Sequence, residues 1–499
     1  QMAGDLLADR NFMTQVASGY NRNHRINSEG GSIPDEWIVE YVADRVETLG
    51  TTFLGLTMNC ARCHDHKYDA VSQEDFYSLF AFFNGIDEAG LGPNNGNSPP
   101  FIPVPKSWPE LKPAENKFVV PAKMQIKVVQ TSVPRPQSGG ANTVMVMHEL
   151  PKPRPTYVLE RGLYDRPDKA RKLQPAVPEV IGGWKKEWPV NRIGLAKWLT
   201  DPAHPLTARV TVNRIWQRLF GLGLVKTSEN FGVQGEHPSH PKLLDWLATE
   251  FIRGGWDLKA TYKMLVTSAT YRQSSVGHSD SDPDNRLLSR GPRRRLPAYA
   301  IRDSALVSSG LLVPEIGGPS VRPYMPPRIW RSISNNSYKQ DKGDKLYRRS
   351  LYTYWRRTIP PPTMLTFNAA EREVCIVRKD QTITPLQALT LMNNVTFVES
   401  ARHLAERVMT QEDLTSEDER ITYAFKAILS RPPSSRELAL LKEDFLHHEE
   451  IFSKNPQAVG QLLKVGEKPN DSKLPSAVLA AYALVASTIL NLDEAISLN

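Results

Sequence analysis

Cys60, Cys63 and His64 stand in the run Thr57-Met58-Asn59-Cys60-Ala61-Arg62-Cys63-His64-Asp65-His66, a C-x-x-C-H arrangement. Two thiols three residues apart fall on one face of a helical turn. There they can form thioethers to the two vinyl groups of a haem, and the next residue places its imidazole under the iron. Haem attachment is the usual chemistry of this spacing. The sequence therefore predicts one covalent haem c on Cys60 and Cys63, with His64 as proximal iron ligand. Two of the chain's 3 cysteines are used in it.

Three other readings compete. Cys60, Cys63, His64 and His66 could offer themselves to zinc, but a zinc site draws on a second ligand pair further along. A redox dithiol expects a βαβ context that the sequence does not supply. A purely structural thiol pair leaves His64 without a purpose.

The sixth iron ligand separates electron transfer from ligand binding or peroxide chemistry. His66 and Met58 are tethered too close to His64 to reach the other face of a porphyrin. His24, in the run NRNH, is the first candidate for a distal ligand. His148, Met145 and Met147 follow it. His237 and His240 suit a proline-bounded loop, and His447 and His448 a solvent face. Arg62 and Lys67 could pair with the anionic propionates. Asp65 and Asp69 could orient His64, with a local turn role as the plainer reading, and Cys375 reads as an inert buried thiol.

The elements that must hold this motif read as helices. Asp35 to Leu49 sets Ile38, Val39, Val42, Val46 and Leu49 at helical spacing, and Gln73 to Phe83 does so with aromatics. Residues 91–185 change character: Gly and Pro cluster, and strand-type runs appear at Met124 to Gln130, Asn142 to His148 and Thr156 to Glu160. Helical patterns return at Arg192 to Thr200, Thr207 to Phe220, His240 to Arg253, Asp257 to Thr270, Tyr299 to Leu311 and Pro385 to Val408, then from Glu417 onward. The expected fold is mainly α with a small β-rich insert, and multidomain. It comprises a helical haem-binding part over 1–90, a linker and insert over 91–185, and a large helical domain over 186–499.

A net charge of +8 over 499 residues is mild, and no nucleic-acid motif accompanies it. It leaves room for a redox partner protein or an anionic polysaccharide, and for an oligomer. The run Arg290 to Arg295 reads as a solvated loop or paired arginines. Arg349, Tyr352, Tyr354, Trp355, Arg356 and Arg357 interleave base and aromatic; they could meet a carbohydrate, or form a β-edge with paired arginines. No stretch reaches the ~18 apolar residues of a membrane span, and Ala477 to Leu492 reads as a buried helix. The chain opens on Gln1 in what looks like the middle of a helix, so a preceding segment, including any export signal, is expected to be missing.

The run LGLTMNCARCHDHKYDAVSQEDFYSLFAFFN resembles the haem-binding region of planctomycete-type cytochrome c domain proteins. The likeness extends upstream through Asn21 to His24, Glu29 to Gly31 and Tyr41 to Arg45. It resumes in VNRIWQRLFGLGLVKTSENFG (212–232), HPSHPKLLDWLATEFIRGGWDLK (237–259), TSATYRQSS (267–275), DPDNRLLSR (282–290), AIRDSAL (300–306) and TPLQALTLMNN (384–394). Two features depart from that family. A further N-terminal cytochrome module with its own C-x-x-C-H, which family members often carry, is not in this sequence, so the chain is expected to be the C-terminal part of a longer protein, and Asn368 stands where such proteins usually place Asp. The resemblance implies export to the periplasm or beyond and covalent haem. It supplies no reaction. An electron-transfer protein leads; a haem enzyme acting on peroxide or polysaccharide, and an envelope assembly protein with structural haem, are the alternatives.

Overall fold

The computed structural model describes residues 1–93, 96–104, 139–140, 142–277, 279–331, 337–378 and 381–498. The chain is mainly helical and divides into two compact units. The first holds 1–272 with 279–289 and 372–378; the second holds 273–278, 290–371 and 379–499.

The first unit opens with α1 (Phe12–Ser18), α2 (Pro34–Leu49) and α3 (Gln73–Ala81). Helix α2 starts where the sequence says it should. Pro34 takes the first turn, where its missing N–H costs nothing, and Asp35 and Glu36 face the positive end of the helix dipole. Its inner stripe of Val42, Val46 and Leu49 is inaccessible to water, and each such side chain contributes about 1.5–3 kcal/mol of burial. Helix α3 begins with a reciprocal cap between Ser72 and Asp75 and buries Phe76, Tyr77, Leu79 and Phe80. Between the two, Gly50–Leu54 form a wider turn that ends on Gly55 at φ +61°. A Cβ on Gly55 would lie 2.8 Å from the Phe231 ring and 3.0 Å from Val210. Only glycine suits both that dihedral and that closeness, and the turn sends the chain into the cysteine motif.

The insert supplies two antiparallel pairs of strands. β1 (Phe101–Pro103) pairs with β2 (Thr143–Met145), and β3 (Thr156–Leu159) with β4 (Pro167–Leu173), the latter with a register shift between Tyr157 and Val158. The strand expected over Met124 to Gln130 lies outside the described residues. Helices α4 (Arg192–Leu199), α5 (Thr207–Phe220), α6 (Pro241–Arg253) and α7 (Leu258–Val266) complete the unit. Val212, Trp216, Leu247 and Phe251 form the core of the last three.

The second unit contains β5 (Arg294–Arg295), α8 (Ala298–Ser308), α9 (Pro362–Thr366), α10 (Pro385–Asn393), α11 (Val395–Thr410), α12 (Glu417–Leu429), α13 (Ser435–Lys454), α14 (Pro456–Leu463), α15 (Ser476–Leu490) and β6 (Ser497–Leu498). Its core gathers Leu404, Phe425, Ala480 and Ile489, with the Phe445 ring stacked on Tyr482 at 4.2 Å. Helix α15 is apolar because it is buried; among the described residues no helix is long and apolar enough to cross a membrane. The single helix expected over Pro385 to Val408 is two. Asn394 turns extended (ψ 135°) and its side chain accepts from the Thr396 amide, ending α10 and capping α11 in one residue. In the basic run, Arg293 and Arg295 both pair with Asp493.

Candidate functional site

The motif occupies a 3₁₀ turn, Met58–Arg62, closed by Cys63. In such a turn side chains three apart lie over one another. Met58 and Ala61 therefore share the inner face and are 1% and 0% exposed, while Cys60 and Cys63 share the outer face and meet solvent.

The turn is held from several directions. The Arg62 carbonyl accepts from Tyr77 Oη (3.0 Å) and from Gln73 Nε2 (3.1 Å), both on α3 one helical turn apart. Burial raises the Tyr77 pKa above its usual value, so its hydroxyl stays a donor. The Arg62 guanidinium bonds Glu40 of α2 and the Gly162 carbonyl, and Glu40 is also 3.7 Å from Arg25. Cys63 Sγ donates to the Arg161 carbonyl at 3.4 Å.

Beyond the turn, His64 is exposed, and its Nδ1 lies 2.6 Å from the Asp65 carbonyl. That contact fixes the tautomer with the proton on Nδ1 and leaves Nε2 as a lone pair with no hydrogen-bond partner among the described residues. Asp65 accepts from the Gln73 amide at 2.7 Å and so ties the motif to the start of α3. The His66 side chain is enclosed and plays a different part. Its Nδ1 accepts from the Asp69 and Tyr68 amides (2.8 and 3.3 Å), and its Nε2 faces Thr57 Oγ1 at 3.2 Å. Asp69 accepts from the Val233 amide at 2.7 Å, and Gly232 lies so close that a Cβ there would be 2.3 Å from the carboxylate. Thus Asp65, His66 and Asp69 build the loop, and His64 projects from it.

The remaining candidates lie elsewhere. His24 is enclosed beside Arg22, Arg45 and Glu88. Its Nδ1 bonds the Arg25 carbonyl (2.9 Å), its Nε2 the Arg45 guanidinium (2.8 Å), and its ring stacks on Tyr41. Neither nitrogen is free for iron in this arrangement, and burial followed by the Arg45 charge lowers its pKa to about 4. The sequence named His24 for its place in the NRNH run upstream of the motif; the buried carboxylate that claims it, Glu88, comes 64 residues later. Lys67 extends over the Tyr68 ring at 5.1 Å. His148 is 3.7 Å from Asp87, and Met147 is buried. Cys375 is half-buried, and burial raises its thiol pKa. Among the described residues, no three His, Cys, Asp or Glu side chains group so as to hold a metal. Haem iron takes four of its ligands from the porphyrin. Two exposed thiols on one face and an imidazole with a spare nitrogen fit covalent haem.

In the second unit the interleaved arginines and aromatics pack on each other. Arg348 sits over Tyr352 (4.0 Å), Arg322 over Tyr354 (4.6 Å) and Arg356 over Trp330 (5.1 Å). Arg348 itself is 3% exposed, so the Tyr352 face it meets is covered from within the unit.

Glu40, Gln73 and Tyr77, which position the motif, escaped the sequence reading. Gln73 and Tyr77 carried a signal in their four-residue spacing on a helix directly after the motif; Glu40 carried none.

Compared with known families, residues 191–445 match PSD1, a protein of unknown function (DUF1553), and residues 1–88 match PSCyt2, a protein of unknown function (DUF1549). No curated protein and no solved structure matches the chain.

Proposed function

This chain belongs to the PSD1 family of proteins of unknown function, and we propose that it is an exported c-type cytochrome-like protein that carries one covalent haem and transfers electrons. The observation that supports this reading most is the exposed, rigidly backed Cys60–Cys63 face with His64 Nε2 left unengaged. Cys60 and Cys63 hold the group through thioethers, and His64 is the axial ligand. Bound there, haem would supply one-electron redox chemistry. The chain's own part is to fix the three donors: Tyr77 and Gln73 pin the turn, Glu40 neutralises Arg62, and Asp65 sets the His64 tautomer. Arg62 is committed to Glu40, which makes Lys67 the freer partner for a propionate. The periplasm or the exterior is the compartment for such a protein, with a redox protein as its partner.

Redox titration of the protein, produced with an export signal in a host that matures c-type cytochromes, tests this. We expect one single-electron wave per chain, absent from the Cys60→Ser/Cys63→Ser double variant. Retained haem without a reversible wave, but with peroxide turnover, would replace electron transfer by the haem-enzyme reading.

A further inference from the structure

We propose that the first unit contains a separate binding site for a small hydroxylated aromatic ring of the phenol class, in the cavity between the start of α2, the end of α3 and strand β3. The cavity measures about 240 Å³. An enclosed apolar cavity of about 150 Å³ accepts benzene; this one is open to solvent on one side and has room for a single substituted ring.

Its wall chemistry selects among single-ring ligands. Ile38 and Val39 of α2, Phe80 of α3 and Leu159 of β3 give it apolar walls. Two polar side chains of the lining are already spent. Asn84 Nδ2 donates to Thr156 Oγ1 at 3.0 Å. Arg154 donates to the Ile86, Asn84 and Glu88 carbonyls at 2.8, 3.2 and 3.2 Å. Asp35, Tyr157 and Tyr164 also line the cavity, and they make no side-chain hydrogen bond or ion pair among the described residues. They offer one carboxylate acceptor and two hydroxyls, with two ring faces. A phenol places its ring against the apolar walls and donates its hydroxyl to this free set. A sugar would bring a hydroxyl on nearly every carbon and leave several unpaired against Ile38, Val39 and Leu159, each at a cost.

The cavity lies beside the cysteine turn. The Leu159 carbonyl accepts from Gln73, the residue that pins Arg62, and two residues later the Arg161 carbonyl meets Cys63. Binding itself does not rest on the haem reading, because none of the three haem donors lines the cavity.

Calorimetric titration of the full chain with phenol, benzene and methyl α-glucoside tests the site, in wild type and in the haem-free Cys60→Ser/Cys63→Ser variant. We expect saturable phenol binding in the sub-millimolar range, about the strength a single ring can reach, equal in both proteins. Benzene should bind at least threefold more weakly, and the glucoside should not bind. Val39→Trp, which fills the cavity, should weaken phenol binding at least tenfold. Should that variant misfold, Tyr164→Phe, at a half-buried position, should still weaken it about threefold. No saturable phenol binding, binding indifferent to both substitutions, or a glucoside that binds as tightly as phenol would overturn the proposal. A wild-type chain that carries no haem yet binds phenol would count against the haem reading alone.

Discussion

Acidification should loosen the scaffold of the cysteine turn through His24. In the unfolded chain its imidazole takes up a proton near pH 6.5. In the folded protein burial, reinforced by Arg45, lowers that to about 4. Between these values the unfolded state binds more protons. The stability His24 contributes is therefore fully present above pH 6.5 and is lost as pH falls towards 4. Integrated from pH 7 to 4.5, the loss is roughly 2 kcal/mol. His204 and His403 are buried and lowered in the same way, so the whole protein loses more, and a variant must isolate the share of His24. His24→Gln keeps a neutral polar group there and removes the titration. Hydrogen exchange of the α2 segment Tyr41–Leu49, corrected for intrinsic rate, gives its opening free energy at both pH values. The wild type should lose roughly 2 kcal/mol more than His24→Gln over the interval. Parallel losses in the two proteins would show that His24 is not held neutral, and the reasoning would fail.

Other expectations follow from the same contacts. Gly232→Ala forces a Cβ against the Asp69 carboxylate and should destabilise by about 1–3 kcal/mol, read as a lowered thermal midpoint. Gln73→Leu removes one of the two donors on the Arg62 carbonyl; in chain produced without haem maturation, where both thiols are free, Cys63 should then alkylate faster with iodoacetamide while Cys60 is unchanged, and equal acceleration at both would contradict the pinning role. Glu399→Ala leaves Tyr347 Oη and the Glu467 and Lys468 amides without their buried acceptor. It should cost about 3–5 kcal/mol in urea unfolding of the second unit.

The helices around the motif were legible because their signals are local: the α2 and α3 boundaries follow from Pro34, the acidic first turn and the Ser72–Asp75 cap. What the sequence could not show was who claims each polar side chain. His24 reads as a free ligand until Glu88 and Arg45 are placed beside it. Arg62 reads as a propionate contact until Glu40 and the Gly162 carbonyl, 100 residues away, take its guanidinium. Asn394 looked like mid-helix because α10 and α11 continue the same apolar pattern, and only its side-chain cap breaks it. The Arg–aromatic run could be named from its composition, but whether the rings faced outward depended on arginines elsewhere in the same unit.

The central claim is tested most directly by denaturing the exported protein and quantifying its pyridine haemochrome against protein mass. One haem per chain, retained through denaturation and lost from Cys60→Ser/Cys63→Ser, is the predicted result. A chain made in a maturation-competent host that releases all its haem on denaturation, or never acquires any, would contradict the account.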